Sequence, residues 1–208
     1  MTRLERSQDP AGAPEAELEA VHRELEESAQ VKRAIDEATR RTIVLVARAV
    51  VASLRQDGQL VLFGNGGSAA DAQHLAAELV GRFTREREAL RAQALTSNAA
   101  VLTSVANDYD YSEVFARQVR AVVRPGDVVL GLSTSGSSPN VVKGLEAARA
   151  RGALTVAMTG AVGGPCAAAA RLALAVPSRV TARIQEAHLT IGHILCGLVE
   201  QALAGPRP

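Results

Sequence analysis

The alternation of short apolar runs with helical segments constrains the fold of this chain more than any other feature. Apolar runs predict buried strands over residues 59–65, 127–133, 154–160 and 172–177, with a short further strand over 92–95. Helical spacing predicts helices over residues 69–83, 138–151 and 181–203. Strands that alternate with helices form a parallel sheet that is covered on both faces. The pattern therefore predicts an α/β fold with ligands bound at the carboxyl ends of the strands.

The first quarter of the chain has a different pattern. Residues 1–14 are polar and contain Pro10, Gly12 and Pro14, which predicts a disordered lead-in. Residues 15–57 predict N-terminal helices, with Gly58 placed just past the helix end. Because the stretch 43–47 is apolar on nearly all sides, we expect it to be buried against a partner. The sequence predicts one domain over residues 15–208 that includes these helices.

Charge and composition exclude several classes of function. Lys and Arg number 23 against 22 Asp and Glu, and aromatic residues make up only 2% of the chain. A net charge of +1 gives no general attraction to nucleic acid, and so few aromatics offer no surface for base stacking. The first residues contain no apolar signal core, and no run of about 18 apolar residues occurs. We expect a cytoplasmic protein that binds neither nucleic acid nor a membrane.

The two cysteines indicate the same compartment. Cys166 and Cys196 stand alone, without the spacing of a C-x-x-C motif. Free thiols of a cytosolic protein are the favoured interpretation, with a disulfide as the alternative.

Residues 133–138, which we call the serine turn, hold five hydroxyl groups around one glycine between a predicted strand and a predicted helix. Pro139 suits the first helical position, so that Ser138 is the predicted N-cap. Open N–H groups at a helix start, the helix dipole and several hydroxyl donors together form an anion site. The plainer alternative is a polar turn with an ordinary serine cap.

Residues 64–68, which we call the glycine turn, occupy the same position after the first strand. Glycines allow the backbone to approach a ligand closely. The turn lacks the Gly-Lys-Ser/Thr of a P-loop and the spacing of a dinucleotide-binding fingerprint. A ligand contact is favoured here because the serine turn follows a strand of the same sheet.

Acid–base and metal-ligating residues occur on two of the predicted helices. His74 and Glu78 are four residues apart and share one helix face, a spacing that suits either a metal or a plain surface pair. The closing helix contains Gln185 and His193, which are eight residues apart and so separated by about 12 Å along the axis. Either that helix lies across the site, or different subunits supply the two residues.

Four segments, taken together and in order, resemble the phosphoheptose isomerase family of the sugar isomerase (SIS) domain superfamily. They are Phe63–His74, Ala106–Tyr109, Gly126–Val141 and Arg183–His193. The resemblance extends from about residue 15 to residue 203. It implies one SIS domain with a five-stranded parallel sheet flanked by helices, assembled as a homotetramer.

The resemblance also implies an activity and a set of site residues. The family interconverts sedoheptulose 7-phosphate and glycero-manno-heptose 7-phosphate, with Glu78 matching the family's base and His193 its acid. Some members bind zinc at the positions matching His74, Glu78, Gln185 and His193, so that partial occupancy by zinc is expected here. The substrate contacts that carry over, besides Glu78, are Asn65, Gly66, Gly67, Asn107, Asp108, Ser133, Thr134, Ser135, Ser138 and Gln185.

One position departs from the family pattern, and two other functions stay open. Some members have Asp directly before the Arg-Ile-Gln-Glu run, where this chain has Ala182. A relative in the superfamily binds the bacterial replication initiator rather than acting as an enzyme, and fold alone does not separate the two. The full set of His74, Glu78, Gln185 and His193 favours the enzyme, because a scaffold has no chemical need for it. Isomerisation of another phosphorylated sugar is the third possibility.

Overall fold

A parallel five-stranded sheet forms the centre of the molecule in the computed structural model, which describes residues 14–204. Its strands are β1 (Leu60–Gly64), β2 (Ala92–Ala94), β3 (Val128–Ser133), β4 (Leu154–Thr159) and β5 (Leu172–Ala175). They lie in the order β2-β1-β3-β4-β5, and each neighbouring pair is parallel. The predicted α/β class and the five parallel strands are therefore confirmed. Residues 1–13 of the predicted lead-in lie outside the described residues.

Eight α-helices are described around this sheet. They are α1 (Glu15–Arg33), α2 (Glu37–Arg55), α3 (Gly67–Val80), α4 (Ala99–Asp108), α5 (Val114–Val122), α6 (Pro139–Ala150), α7 (Gly164–Ala169) and α8 (Thr181–Leu203). The sequence pattern predicted no helix at α4, α5 or α7. The N-terminal helical segment is two helices, because the Asp36 side chain caps α2 by accepting a hydrogen bond from the Thr39 N–H at 2.8 Å.

The helices cover the two faces of the sheet as separate layers. One hydrophobic cluster joins the sheet to α2, α3 and α8, and a second joins it to α4, α5, α6 and α7. The apolar stretch in α2 is only partly covered within the chain: Val46 and Val50 are buried, whereas Val44 and Leu45 are exposed. Helix α3, which bears His74 and Glu78, therefore lies on the face opposite to α6, which follows the serine turn.

Two helix ends differ from the prediction. Helix α3 ends at Val80 rather than at residue 83, because the N–H groups of Phe83, Thr84 and Arg85 donate to the Glu200 side chain instead of continuing the helix. After α2, the left-handed residue is Asp57, with φ of 60°, and not Gly58.

The two cysteines lie in the interior of the molecule. Cys166 and Cys196 are free and buried. Burial raises the pKa of the Cys196 thiol to about 12. Within residues 14–204, no helix combines the length and the apolar character needed to cross a membrane.

His188 joins α8 to the carboxyl end of β4. Its side chain is fully buried, and its Nε2 lies 3.2 Å from the carbonyl oxygen of Thr159. Burial lowers the pKa of His188 from 6.5 to about 4, and the bond to Thr159 opposes this only in part. The imidazole is therefore neutral in the folded protein at neutral pH.

We expect the His188 pKa to make the protein less stable in mild acid. The unfolded chain takes up a proton near pH 6.5 and the folded chain only near pH 4, so stability is full above pH 6.5 and falls between these values. Between pH 7 and pH 5 the loss is about 2 kcal/mol. Urea unfolding of the wild type and of His188→Gln at equal protein concentration measures this loss in the free energy of unfolding. The variant should lose less stability over this interval; an equal loss would contradict the prediction.

Candidate active site

The glycine turn and the serine turn meet at the switch point of the sheet. The chain passes from β1 outward to β2 and returns to β3 on the other side of β1, so ligands are expected between the carboxyl ends of β1 and β3. Two asparagines join these turns. Asn65 Nδ2 donates to Asn140 Oδ1 at 2.9 Å, and Asn140 Nδ2 donates to Asn65 Oδ1 at 2.8 Å. The amide pair fixes the spacing of the two turns, and it uses both the amide N–H and the carbonyl oxygen of the Asn65 side chain.

The serine turn is organised by its own hydroxyl groups. Ser138 is the N-cap of α6 and Pro139 is the first helical residue, as predicted. The Ser138 hydroxyl makes no capping bond but lies 2.9 Å from the Ser133 hydroxyl. Gly136 has a φ of +70°, which favours glycine at the centre of the turn. Pro139 has no N–H, and the N–H groups of Val141 and Val142 bond to the Ser138 carbonyl oxygen, so an anion here would meet mainly the hydroxyl groups of the turn and the positive end of the helix dipole.

The glycine turn lies against the start of α8. Gly66 has a φ of +55° at the N-cap position of α3. A Cβ at Gly67 would clash with the side-chain amide of Gln185, so the absence of a side chain lets the two helices approach there. Gln185 therefore lies at the carboxyl edge of the sheet, beside the glycine turn.

Three of the four expected metal ligands form one cluster. His74 Nε2 lies 2.8 Å from His193 Nε2 and 3.3 Å from Glu78 Oε1, and the ligand atoms of all three lie within 4.8 Å of one another. Since α3 and α8 pack side by side, pairing Gly67 with Gln185 and His74 with His193, the two helices run in the same direction. Within one chain, Gln185 is thus about two turns away from this cluster.

The cluster lies far from the turns of its own chain. Glu78 is about 16 Å beyond Gly67 along α3. The next residue, Leu79, accepts a hydrogen bond from the N–H of Leu90, just before the strand β2, whose first residue pairs with Leu60 at the amino end of β1. The cluster therefore lies toward the amino edge of the sheet, on the face opposite to α6.

The three side chains fit a zinc ion by their chemistry. Two imidazole nitrogens and a carboxylate are common zinc ligands, and a zinc ion with three protein ligands keeps one position open. Zn–N and Zn–O bonds of about 2.0–2.2 Å place neighbouring ligand atoms about 3.3 Å apart, close to the separations of 2.8 Å and 3.3 Å seen here. His74, Glu78 and His193 could hold the ion with little movement.

The remaining predicted contacts lie at the end of α4. Asn107 Nδ2 donates to Asp108 Oδ1 at 2.9 Å, and both residues are exposed. The chain continues to Tyr111, whose hydroxyl donates to Asn65 Oδ1 at 3.2 Å. A cavity of about 310 Å³ lies here between the two turns. Its lining residues are Asn65, Asp110, Tyr111, Ser112, Ser138, Pro139 and Asn140.

The structure adds residues that sequence reasoning missed. Asn140 was missed because its role depends on a contact with a residue 75 positions away. Asp71 lies one turn before His74, and its buried Oδ2 has no hydrogen-bond partner among the described residues. Burial raises the pKa of Asp71, and the His74 charge opposes this. The i, i+3 spacing of Asp71 and His74 was the available signal.

Comparison with known proteins gives evidence on the family of this chain. The SIS domain family matches residues 25–160. The phosphoheptose isomerase of Aquifex aeolicus is 51% identical over 184 residues, which are 88% of this chain and 96% of that protein. The phosphoheptose isomerase of a Roseiflexus species is 53% identical over 180 residues, which are 86% of this chain and 91% of that protein.

A solved structure agrees with these relatives. The phosphoheptose isomerase of Neisseria gonorrhoeae is similar with a TM-score of 0.83 and 40% identity, covering 88% of this chain and 98% of that one. Such identity over nearly the whole length favours the enzyme over a non-catalytic binding protein. The chain belongs to the phosphoheptose isomerase family of SIS-domain proteins and is a sugar-phosphate isomerase.

Proposed function

We propose that this protein interconverts sedoheptulose 7-phosphate and D-glycero-D-manno-heptose 7-phosphate, the first step in making nucleotide-activated heptose. The observation that supports it best is the cluster of Glu78 and His193, a carboxylate and an imidazole whose reactive atoms lie within 4.8 Å of each other. The relatives named phosphoheptose isomerase supply the substrate class.

The proposed mechanism passes through an enediol(ate). Glu78 takes a proton from C1 of the ketose, and a C1–C2 double bond forms as electrons move onto the carbonyl oxygen. His193 gives a proton to that oxygen and takes one from the hydroxyl on C1. Glu78 then returns its proton to C2, which yields the aldose. Each group ends in its starting state, so no further reactant is needed.

The phosphate is proposed to bind at the serine turn. Ser133, Thr134, Ser135 and Ser138 would surround it, with their hydroxyl groups donating to its oxygens and the positive end of the α6 dipole facing it. The sugar would extend toward Asn65, Gly66, Gly67, Asn107, Asp108 and Gln185.

We further propose that each active site combines two subunits. From C1 to the phosphorus, an extended heptose 7-phosphate spans only about 10 Å over its eight bonds, at about 1.3 Å per bond. Glu78 is about 16 Å past the glycine turn along α3, toward the amino edge of the sheet, whereas the serine turn lies at the carboxyl edge. A sugar bound at the turns of one subunit would therefore meet Glu78 and His193 of another. Gln185 lies with the turns, so it would complete the cluster across the same contact.

A homotetramer supplies such contacts. Val44 and Leu45 on α2, Val80 on α3 and Ile194 on α8 are all exposed in the single chain. These helices form one layer on one face of the sheet, and packing them against symmetry mates would bury the exposed apolar residues in a helical bundle. The free, buried cysteines suit a protein that works in the cytoplasm.

An assay with a panel of ketose phosphates tests the proposed function. Purified protein is given ketose phosphates of five, six and seven carbons, and aldose formation is followed for each. We expect the highest kcat/KM with sedoheptulose 7-phosphate. A higher value with a six-carbon ketose phosphate would instead support the alternative, an isomerase of another sugar.

Zinc would be held by His74, Glu78 and His193 of one subunit and Gln185 of another, and when bound it would polarise the substrate's oxygens. We expect protein purified without chelator to contain up to one zinc per subunit, with partial occupancy because an amide oxygen is a weak ligand.

Elemental analysis measures this, with His22→Ala as the control variant because His22 is an exposed histidine on α1. His74→Ala should lower the zinc content and His22→Ala should not. Equal zinc in both variants would contradict the assignment.

A further inference from the structure

A buried ion pair, Arg87 with Glu200, lies close to the helix ends that carry the proposed acid–base residues Glu78 and His193. The Glu200 side chain is 1% exposed and that of Arg87 is 4% exposed, and Arg87 Nε lies 3.2 Å from Glu200 Oε1. Glu200 also accepts hydrogen bonds from the N–H groups of Phe83, Thr84 and Arg85, and from the Thr84 hydroxyl, at 2.7–3.0 Å. This carboxylate, on the last turns of α8, thus holds the loop that follows α3.

The pair contacts both helices of the acid–base cluster. Arg87 Nη2 donates to the backbone carbonyl of Glu78 at 2.9 Å, and Nη1 donates to the carbonyl of Gly81 at 3.1 Å. These bonds satisfy carbonyl groups at the end of α3 that have no partner within the helix. The loop bound to Glu200 places the Phe83 ring 5.5 Å from the His193 ring, measured between centroids.

Burying two charges is costly, and a well-packed apolar pair would often stabilise a fold as well. The bonds made here instead constrain particular atoms of the site. Glu200 fixes the loop that carries Phe83 against His193, and Arg87 fixes the turn that carries Glu78. The two residues act through others, since neither belongs to the acid–base cluster.

We propose that Glu200 and Arg87 are positioning residues, which set the relative orientation of Glu78 and His193 for proton transfer. This inference rests on the proposed roles of Glu78 and His193. A misplacement of about 1 Å at a reacting group can lower a rate by about a hundredfold. Loss of the ion pair should therefore lower kcat, whereas KM should change little because neither Glu200 nor Arg87 belongs to the serine turn that is proposed to bind the phosphate.

Asp127 provides a matched control. It is a buried carboxylate that accepts hydrogen bonds from the N–H groups of Gln59 and Arg124, at the amino edge of the sheet and before β3. Glu200→Gln and Asp127→Asn each remove a buried charge that binds backbone N–H groups. Of these two carboxylates, only Glu200 contacts the helices that carry the acid–base cluster.

The experiment compares these variants at a temperature where circular dichroism shows all of them folded. Glu200→Gln should lower kcat about 10- to 100-fold with KM within about threefold of wild type. Asp127→Asn should keep kcat within about twofold while its Tm falls. Phe83→Leu leaves Glu200 and Arg87 in place, and this variant should lower kcat without a comparable loss in Tm. If Glu200→Gln does not fold, Phe83→Leu tests the inference in its place.

A second measurement separates this inference from the proposed function. In NMR spectra, the His193 ring resonances should shift in Glu200→Gln and in Phe83→Leu but not in Asp127→Asn, because the Phe83 ring current acts on His193. If wild-type protein isomerises no ketose phosphate, the proposed function fails and the NMR result still tests the positioning. Unchanged kcat in both Glu200→Gln and Phe83→Leu, an equal fall in Asp127→Asn, or unshifted His193 resonances would overturn the inference.

Discussion

Replacing Glu78 by Gln should lower kcat by about a hundredfold or more, because glutamine keeps the shape of the side chain and cannot accept the proton. KM should change little, since the phosphate is proposed to bind at the serine turn. Initial rates with sedoheptulose 7-phosphate measure both constants.

Glu86→Gln is the control for the loss of one negative charge. Glu86 lies in the loop after α3, and its side chain is 90% exposed. The control should keep wild-type kcat. If Glu78→Gln turns over at a rate near that of wild type, Glu78 is not the base.

Mixing two inactive variants should restore activity if each site combines two subunits. Glu78→Gln removes the base, while Ser138→Asp provides a side chain that suits an N-cap position and places a negative charge in the proposed phosphate site. Each variant alone should be nearly inactive. In a tetramer reassembled from equal amounts, about a quarter of the sites would combine an intact turn with an intact Glu78, so about a quarter of wild-type activity should return.

A mixture of Glu78→Gln with His193→Gln is the control. These two side chains lie within 4.8 Å in the same chain, so every site would lack one of them and no activity should return. Subunit exchange is verified with differently labelled chains in both mixtures. Activity that stays absent in the mixture with Ser138→Asp, despite exchange, would place the turn and the base of each site in one chain.

The site can be predicted from the sequence where its parts are local. Ser138 as N-cap and Pro139 at the first helical position follow from local chemistry, because proline has no N–H to leave unsatisfied and its fixed φ suits a helix start. The spacing of His74 and Glu78 follows from the helical period. By contrast, the end of α3 depends on Glu200, which is 116 residues from Thr84, and the predicted helix end was wrong for that reason.

Local patterns in the sequence are enough to predict the α/β class, the parallel strands and the two polar turns, because strand and helix periodicity and turn chemistry act over a few residues. The placement of His193 beside His74 and Glu78, and of Gln185 beside Gly67, depends instead on tertiary contacts. It results from the parallel packing of α3 on α8, which is set by close contacts such as that between Gly192 and Leu75. Such contacts join residues more than a hundred positions apart, and no local pattern specifies them.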